Sequence, residues 1–330
     1  MENRMSNRAL PQSATPSPRL NAGRKNWRLV RNFTRNKVIS LAHKIPQSLG
    51  VSVAKSKDYY SVQPVLHDLK RNRKRWDKPS ALSGLNYDLD AIEVECESLI
   101  KQYASEVSLP SIYTDAANLG YGPGYPRMDA IILYCTIRQY KPARYMEVGS
   151  GLSTYFAWLA GQKNAAEGHP LQIKCVEPYP SELLKSLDIE LIVDEAQNVS
   201  VDEFAFVESG DILFIDSSHA LKIDSDVAYL FMEVVPNVST GARIHVHDIP
   251  FPYNTPYPAD TWIFGTRWPV FWQESLLLQA FLAFNNNYKI EMSLPLLRFH
   301  NEAFLTKTLP DYIPFREDKN PPSSIWLHKV

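Results

Sequence analysis

The chain has 330 residues, 45% hydrophobic and 12% aromatic, enough for one large domain with a sizeable core and extra segments besides. Its net charge of −1 hides an asymmetry: residues 1–78 hold 18 Lys+Arg against 4 Asp+Glu, net +14, and the rest hold 17 against 32, net −15. The 3 cysteines (Cys96, Cys135, Cys175) have no CxxC spacing, which excludes a disulfide framework and fits a reducing compartment, the cytoplasm; no apolar run approaches the roughly 20 residues of a membrane-spanning helix.

Residues 1 to about 60 read as a basic, disordered arm. "NRALPQSATPSPRLNAGRKNWRLVRNFTRNK" is rich in Arg, Ser and Pro and nearly free of acid. It lacks the compact apolar core of a secretory signal, although an organelle transit peptide shares its composition. "KRNRKRWDK", residues 70–78, adds a second basic cluster. It reads either as a solvated helix face or, with the arm, as a contact for an anionic surface. No stretch interleaves aromatic and basic residues as a single-strand nucleic-acid platform does, so no nucleic-acid partner is expected.

Residues 61 to about 140 read as a helical extension that caps the cofactor side of the domain after it. "DLDAIEVECESLIKQYASEV" is its clearest helix, with Asp88 or Asp90 as cap and Ile92, Val94, Cys96, Leu99, Ile100 and Tyr103 as apolar side. "LGYGPGYPRMD" is a glycine-proline turn and "DAIILYCTIRQY" a buried helix. From residue 144 strand-like runs ("RYMEVGS", "LQIKCVEP", "IELIVDE", "DILFIDSS", "ARIHVHD", "YKIEMSL", "SSIWLHKV") are separated by helical ones, near 153–161, 181–186, 201–206, 225–235 and in "FWQESLLLQAFLAFN". Alternation of this kind predicts a parallel sheet covered on both faces, with ligands at the carboxyl ends of its strands.

The first strand ends in "EVGSGLST". Gly149 and Gly151 allow a sharp turn and close approach of a ligand to the backbone, Ser153 is a candidate N-cap, and the helix N-terminus offers free N–H groups. A dinucleotide fingerprint needs a third glycine where Thr154 stands. The alternative is the acid-x-Gly-x-Gly loop of a methyl-donor site. Glu147 suits a ligand with an ammonium and a sulfonium and would repel a diphosphate. Glu177, at the tip of the second strand, can accept both hydrogen bonds of a ribose diol. Gln197 and Asn198, after the third strand, are placed to meet an adenine edge, and Ser217 follows Asp216 at the end of the fourth.

With these pieces placed, the chain resembles the class I S-adenosylmethionine-dependent methyltransferases, and more narrowly a bacterial subgroup related to small-molecule and sugar O-methyltransferases. The resemblance rests on "RYMEVGSGLST", "GDILFIDSSHALKIDSDVAYLFMEVVP", "RIHVHDIPFP", "WQESLLLQAFLAFN" and "SSIWLHKV", and spans about residues 118–330. It implies a Rossmann-like, doubly wound α/β sheet of seven strands ordered 3-2-1-4-5-7-6, the last antiparallel, filling residues 141–330. It also implies S-adenosylmethionine as cofactor, with Glu147, Gly149, Ser150, Gly151, Glu177 and Gln197 as contacts; Ser153, Thr154, Asn198, Asp216 and Ser217 belong to the same candidate cofactor site. Catechol-type relatives hold a divalent metal with a carboxylate after strand four and an Asp-Asp or Asp-Asn pair after strand five. Asp216 matches the first, and His247-Asp248 replaces the pair.

Methylation of a hydroxyl needs its proton removed as the methyl group arrives. His219, His247 and Asp248 are the catalytic candidates, because histidine takes up protons near neutral pH. The alternative is a divalent ion held by some of Asp216, His219, His247 and Asp248, with Asp216, His247 and Asp248 as the leading ligands and imidazole favouring a transition metal. His245, deeper in its strand, reads as structural. Side chains alternate along a strand, so Asp248 points away from His247 unless the strand has already ended. The run from Pro250 to Trp272 carries five prolines and eight aromatics and reads as a lid or acceptor wall. The leading expectation is a methyltransferase for a hydroxyl of a small molecule or glycan. A second is a non-catalytic partner protein that docks an anionic surface through its arm. A nicotinamide oxidoreductase is disfavoured by Thr154.

Overall fold

The computed structural model describes residues 60–330 except 62, 108–109 and 122–123, and upstream only residues 46 and 48. The expectations for the basic arm, and part of those for "LGYGPGYP", lie outside the described residues. The chain divides into two units, residues 1–71 and 72–330. Within the first, the helix Leu66–Arg71 carries an Arg71–Asp68 pair at 2.8 Å, one turn apart.

The second unit is built on one seven-stranded sheet: β1 Arg144–Val148, β2 Gln172–Val176, β3 Glu190–Ile192, β4 Ile212–Ile215, β5 Arg243–Val246, β6 Tyr288–Ser293 and β7 Ile325–Lys329. Their order is β3-β2-β1-β4-β5-β7-β6, as the resemblance implies. β1 to β5 pair in parallel, and β7 lies antiparallel between β5 and β6. Because the first five strands run the same way, the loops after β1, β2, β4 and β5 open on one edge. β4, "ILFI", is buried along its whole length, as a strand covered on both faces must be.

The helix Arg127–Tyr140 buries most of its length and packs on Leu152–Ala166. Within it, buried Arg138 is matched by Glu106 at 2.9 Å and Glu167 at 2.6 Å and also donates to Asn164. Those partners offset the cost of taking a guanidinium out of water. The three cysteines are free and buried.

Several local expectations change. The helix Leu89–Tyr103 is capped by Asp88, which accepts from the Ala91 N–H at 3.2 Å, but Val94 is 69% exposed and leaves the apolar side. The run after residue 225 is a short helix, Asp226–Tyr229, followed by a widened π turn at Leu230–Val234 and a tight turn at Val235–Asn237. Pro236 explains the break: it has no N–H to give and its ring crowds the carbonyl four residues back. The helical run Leu294–Thr308, kinked at Asn301, follows β6 without a loop. Ser293 caps it and Pro295 sits in its first turn. In a first turn its missing N–H has no cost.

Candidate active site

Gly149 shapes the site. Its φ is 91°, and a Cβ there would lie 2.2 Å from the carbonyl oxygen of Asp216. Only glycine lets β1 turn against the end of β4, which brings Asp216 beside the loop. The helix begins at Leu152, one residue before the expected start, so Gly151 takes the cap position and its N–H is held by Thr154 Oγ1 at 3.1 Å. Ser153, expected as the cap, instead donates its hydroxyl to Glu147, under the loop. Glu147 has no exposure to solvent and does not line the cleft. Burial pushes its carboxyl up to about 8, against the hydrogen bond from Ser153. It holds the loop from below as a neutral acid.

A cleft of about 400 Å³, open to solvent, lies along the strand ends. Gly149, Glu177, Gln197, Asp216 and Ser217 line it. Glu177 is oriented by the Ser150 hydroxyl at 2.9 Å and the Tyr179 N–H at 2.8 Å. Gln197 donates to Glu195 at 2.6 Å, and Asn198, exposed beside the cleft, donates to Asp194 at 2.8 Å. The lining carries Glu177, Glu195, Asp216, Asp224 and Asp226 against the single cation Lys222. Such a field favours a cationic ligand and works against a diphosphate.

The acid-base cluster assembles at the ends of β4 and β5. β5 stops at Val246, and Asp248 adopts φ 54°, a left-handed conformation uncommon for a side-chain-bearing residue. That turn brings its carboxylate back toward His247. His219 adopts φ 57° in the opposite loop. Its Nε2 lies 3.3 Å from Asp216 Oδ1 and 3.5 Å from Asp248 Oδ2, and its Nδ1 lies 2.6 Å from Glu274 Oε2. One ligand atom from each of Asp216, His219 and Asp248 falls within 4.8 Å of the others. His247 sits behind them, its Nδ1 3.2 Å from Asp216 Oδ1 and 3.9 Å from Asp248 Oδ2.

Charge in this cluster is balanced internally. Burial works against the charged form of His219, yet Asp216 and Glu274 hold it well above its ordinary range. Burial likewise opposes His247, but Asp248 and Asp216 raise it to about 9. Asp216 is pulled upward by burial and held far below the carboxylate range by His247 and His219. His245 is different: burial, then the neighbouring His247, push it well below its ordinary value. It is stacked on Phe214, ring centroids 3.9 Å apart, with the Tyr125 hydroxyl 3.2 Å from its Nε2. It is a neutral core residue, as its depth in the strand suggested.

Four residues of the cluster were not singled out in the sequence. Glu274 opens the helix Glu274–Leu282, and its N–H and that of Gln273 donate to the His219 carbonyl at 3.3 and 3.1 Å. Ser323 donates its hydroxyl to Asp248 at 2.9 Å, its Oγ lies 3.3 Å from His247 Nε2, and its N–H donates to Asp129 at 2.8 Å. Buried Asp129 is raised to about 6 by burial, with His247 opposing. Tyr125 packs its ring 4.8 Å from that of His247. Asp129 lies within an apolar helix, "RMDAIILYC", where a lone buried acid was a readable signal. Ser323 and Glu274 carry no such mark.

A second, much narrower cavity of about 30 Å³ is lined by Asp248, Tyr257, Trp262 and Trp272, with Arg298 and Ser323. Part of the aromatic run therefore forms a wall, and part packs inward: Phe251 is buried, whereas Trp268 is exposed. The short helix Ala259–Trp262 is tied down by Arg73, which donates to both oxygens of Asp260 at 2.6 and 2.8 Å. Among the described residues, no helix is long and apolar enough to cross a membrane.

No protein-family model and no curated protein matches the chain. Solved structures do. A methyltransferase from Geobacter sulfurreducens is 13% identical, with 70% of this chain and 95% of that chain covered, at a TM-score of 0.36. The O-methyltransferase TomG from Streptomyces achromogenes, in complex with SAM, is 12% identical, with 67% and 88% covered, at 0.39. MycE methyltransferase from the mycinamycin biosynthetic pathway, in complex with Mg and SAH, is 16% identical, with 66% of this chain and 54% of that chain covered, at 0.33. The seven-stranded sheet, by its strand order and its one antiparallel strand, is the Rossmann-like fold of class I methyltransferases.

Proposed function

We propose that the protein transfers a methyl group from S-adenosylmethionine to a hydroxyl of a small molecule or glycan. One observation carries this reading. Asp216 lines the acidic cleft, Asp248 lines the aromatic cavity, and both carboxylates approach the same nitrogen, His219 Nε2, at 3.3 and 3.5 Å. A donor in the cleft and an acceptor approaching from the Asp248 side would meet at that imidazole.

The acid-lined cleft fits the ammonium and sulfonium of the donor, and Glu177 fits its ribose diol. In the transfer, the acceptor oxygen forms a bond to the methyl carbon as the bond from that carbon to sulfur breaks. The sulfonium leaves as a thioether, and the hydroxyl proton passes to His219 Nε2. Glu274, on Nδ1, fixes the ring and balances the charge it gains. A positive donor beside Asp216 weakens the field that keeps His219 protonated at rest, so that His219 releases that proton to solvent as the donor binds and Nε2 is free to take the hydroxyl's. His247 and Ser323 hold Asp248 in place from behind.

A second reading is favoured by the spacing of Asp216, His219 and Asp248, which suits a divalent ion. Two carboxylates and an imidazole backed by a carboxylate are a chemically suitable donor set. Such an ion would lower the hydroxyl's pKa. The function is tested by incubating the full chain with labelled S-adenosylmethionine and a panel of hydroxylated acceptors. Label in any product, lost on His219→Asn, supports the reading. Absence of transfer to every acceptor, with no binding of S-adenosylhomocysteine, overturns it.

A further inference from the structure

A pocket of about 180 Å³, open to solvent, lies beside the helical run Leu294–Thr308. It shares no lining residue with the acidic cleft, and none of Asp216, His219, His247 and Asp248 lines it. Much of its wall is aromatic. Tyr253 and Tyr257 stack with ring centroids 3.6 Å apart, and Tyr257 and Phe315 lie 5.4 Å apart with planes 5° from parallel. Phe299 meets Tyr253 edge-on at 6.3 Å and stays 45% exposed.

Arg298 and Glu302 also line this pocket. Four residues apart on a regular helix, such a pair would face each other and attract. Here the run is kinked at Asn301, between them, and no ion pair among the described residues includes either. Arg298 Nη1 donates to the Pro322 carbonyl at 3.2 Å, and its guanidinium carbon lies 4.5 Å from the centre of the Phe315 ring. Glu302 Oε1 accepts from the Phe315 N–H at 2.7 Å and the Tyr312 hydroxyl at 3.1 Å. Each side chain is thus held in place with hydrogen-bonding capacity left over. The remaining guanidinium N–H groups and Glu302 Oε2 have no protein partner among the described residues.

A fixed cationic donor and a fixed anionic acceptor in one small pocket select against ions. An anion that meets Arg298 also meets Glu302, and a cation meets the reverse. A neutral ring bearing several hydroxyls suits both, because a hydroxyl accepts from a guanidinium and donates to a carboxylate. Hydrogen bonds to charged groups are also the stronger ones. The C–H face of such a ring packs on aromatic side chains. Pockets for drug-sized ligands start at about 300 Å³, so this one has the room of a single ring.

We propose that this pocket binds one neutral sugar ring, with Arg298 and Glu302 on its hydroxyls and Phe299 against its C–H face. It is a site of recognition and not of chemistry, and it stands whether or not the acidic cleft holds a methyl donor.

The intact protein is titrated with the methyl glycosides of glucose, galactose, mannose and N-acetylglucosamine, and with phenol and benzoate, by saturation-transfer NMR. At least one glycoside is expected to bind saturably, about 10-fold or more tightly than phenol or benzoate. Phe299→Ala removes an exposed ring, and Glu302→Gln keeps an oxygen for the Phe315 N–H and the Tyr312 hydroxyl while removing the charge. Each is expected to weaken that glycoside about 5-fold or more. Circular dichroism checks that the variants are folded, and where one is not, the other decides. In the wild type, a saturating glycoside is expected to leave the affinity for S-adenosylhomocysteine within about 2-fold. Absence of saturable binding by every glycoside, phenol or benzoate bound as tightly as the best of them, or an affinity unchanged in a folded variant overturns the proposal. So does competition with S-adenosylhomocysteine, which would put the sugar in the acidic cleft. A wild type that ignores S-adenosylhomocysteine defeats the methyl-transfer reading instead, and the sugar site is then judged on the glycosides and the variants.

Discussion

His219 Nδ1 and Glu274 Oε2 lie 2.6 Å apart in a pair almost closed to solvent. The contact fixes which imidazole nitrogen faces Asp216 and Asp248, and it places a negative charge behind a ring that must carry a positive one. Glu274→Gln keeps the size of the side chain and removes that charge. Turnover is expected to fall about 10- to 100-fold, while the affinity for S-adenosylhomocysteine stays within about 2-fold. Steady-state kinetics beside calorimetry check this; equal losses in both would make Glu274 a purely structural residue.

Gly149 approaches the Asp216 carbonyl so closely that a methyl group there would lie 2.2 Å from the oxygen, and its φ of 91° disfavours any L side chain. Gly149→Ala is expected to cost more than about 1 kcal/mol in stability and to weaken donor binding, because the loop can relax only by moving from β4. Gly168→Ala is the control, since its φ of 87° imposes the same backbone strain while a Cβ there meets nothing within 4 Å. Similar losses of donor affinity in both variants would show that the close approach to Asp216 has no role.

Glu147 gives a pH signature. Its folded-state value, raised by burial to about 8, lies above that of an unfolded glutamate, so the folded protein holds this proton the more tightly. The associated stability is fully present below the unfolded value and is lost as pH rises through about 8. Across that window a single such group costs on the order of 1.4 kcal/mol per pH unit. Glu147→Gln keeps an acceptor for Ser153 and removes the titration. Relative to wild type, the variant should therefore gain stability steadily from pH 5 to pH 8 in chemical denaturation. Parallel curves would mean that Glu147 is ionised in the fold.

Proton transfer to His219 and metal activation predict different responses to chelation. If His219 takes the proton directly, turnover survives prolonged dialysis against a chelator, and Asp248→Asn lowers it by about 10-fold or more. If Asp216, His219 and Asp248 hold an ion, dialysis abolishes turnover and one added divalent metal restores it. In that case Asp248→Asn raises the metal concentration needed for half-maximal rate.

The sheet was readable because its signals are local. β1, β2, β4 and β5 are short, mostly apolar runs followed by a glycine, an acid or, after β5, by His247 and Asp248, and a parallel sheet gathers those ends on one edge. The cluster was partly readable for the same reason: Asp216, His219, His247 and Asp248 stand at strand ends. Glu274 and Ser323 reach it from 55 and 76 residues away from the histidines they meet, across elements whose packing no local pattern encodes. Alternation alone could not orient Asp248; its left-handed turn, one residue beyond His247, does so. The helix Leu294–Thr308 was not among the expected elements, although a proline in its first turn is compatible with a helix start.

The most direct measurement is calorimetric titration of the full chain with S-adenosylhomocysteine, beside Glu177→Ala. Saturable binding at one site per chain is expected, weakened about 10- to 100-fold when the carboxylate proposed to bind the ribose is removed. Absence of binding by the intact protein, or binding that Glu177→Ala leaves unchanged, would contradict a methyl-donor site in this cleft.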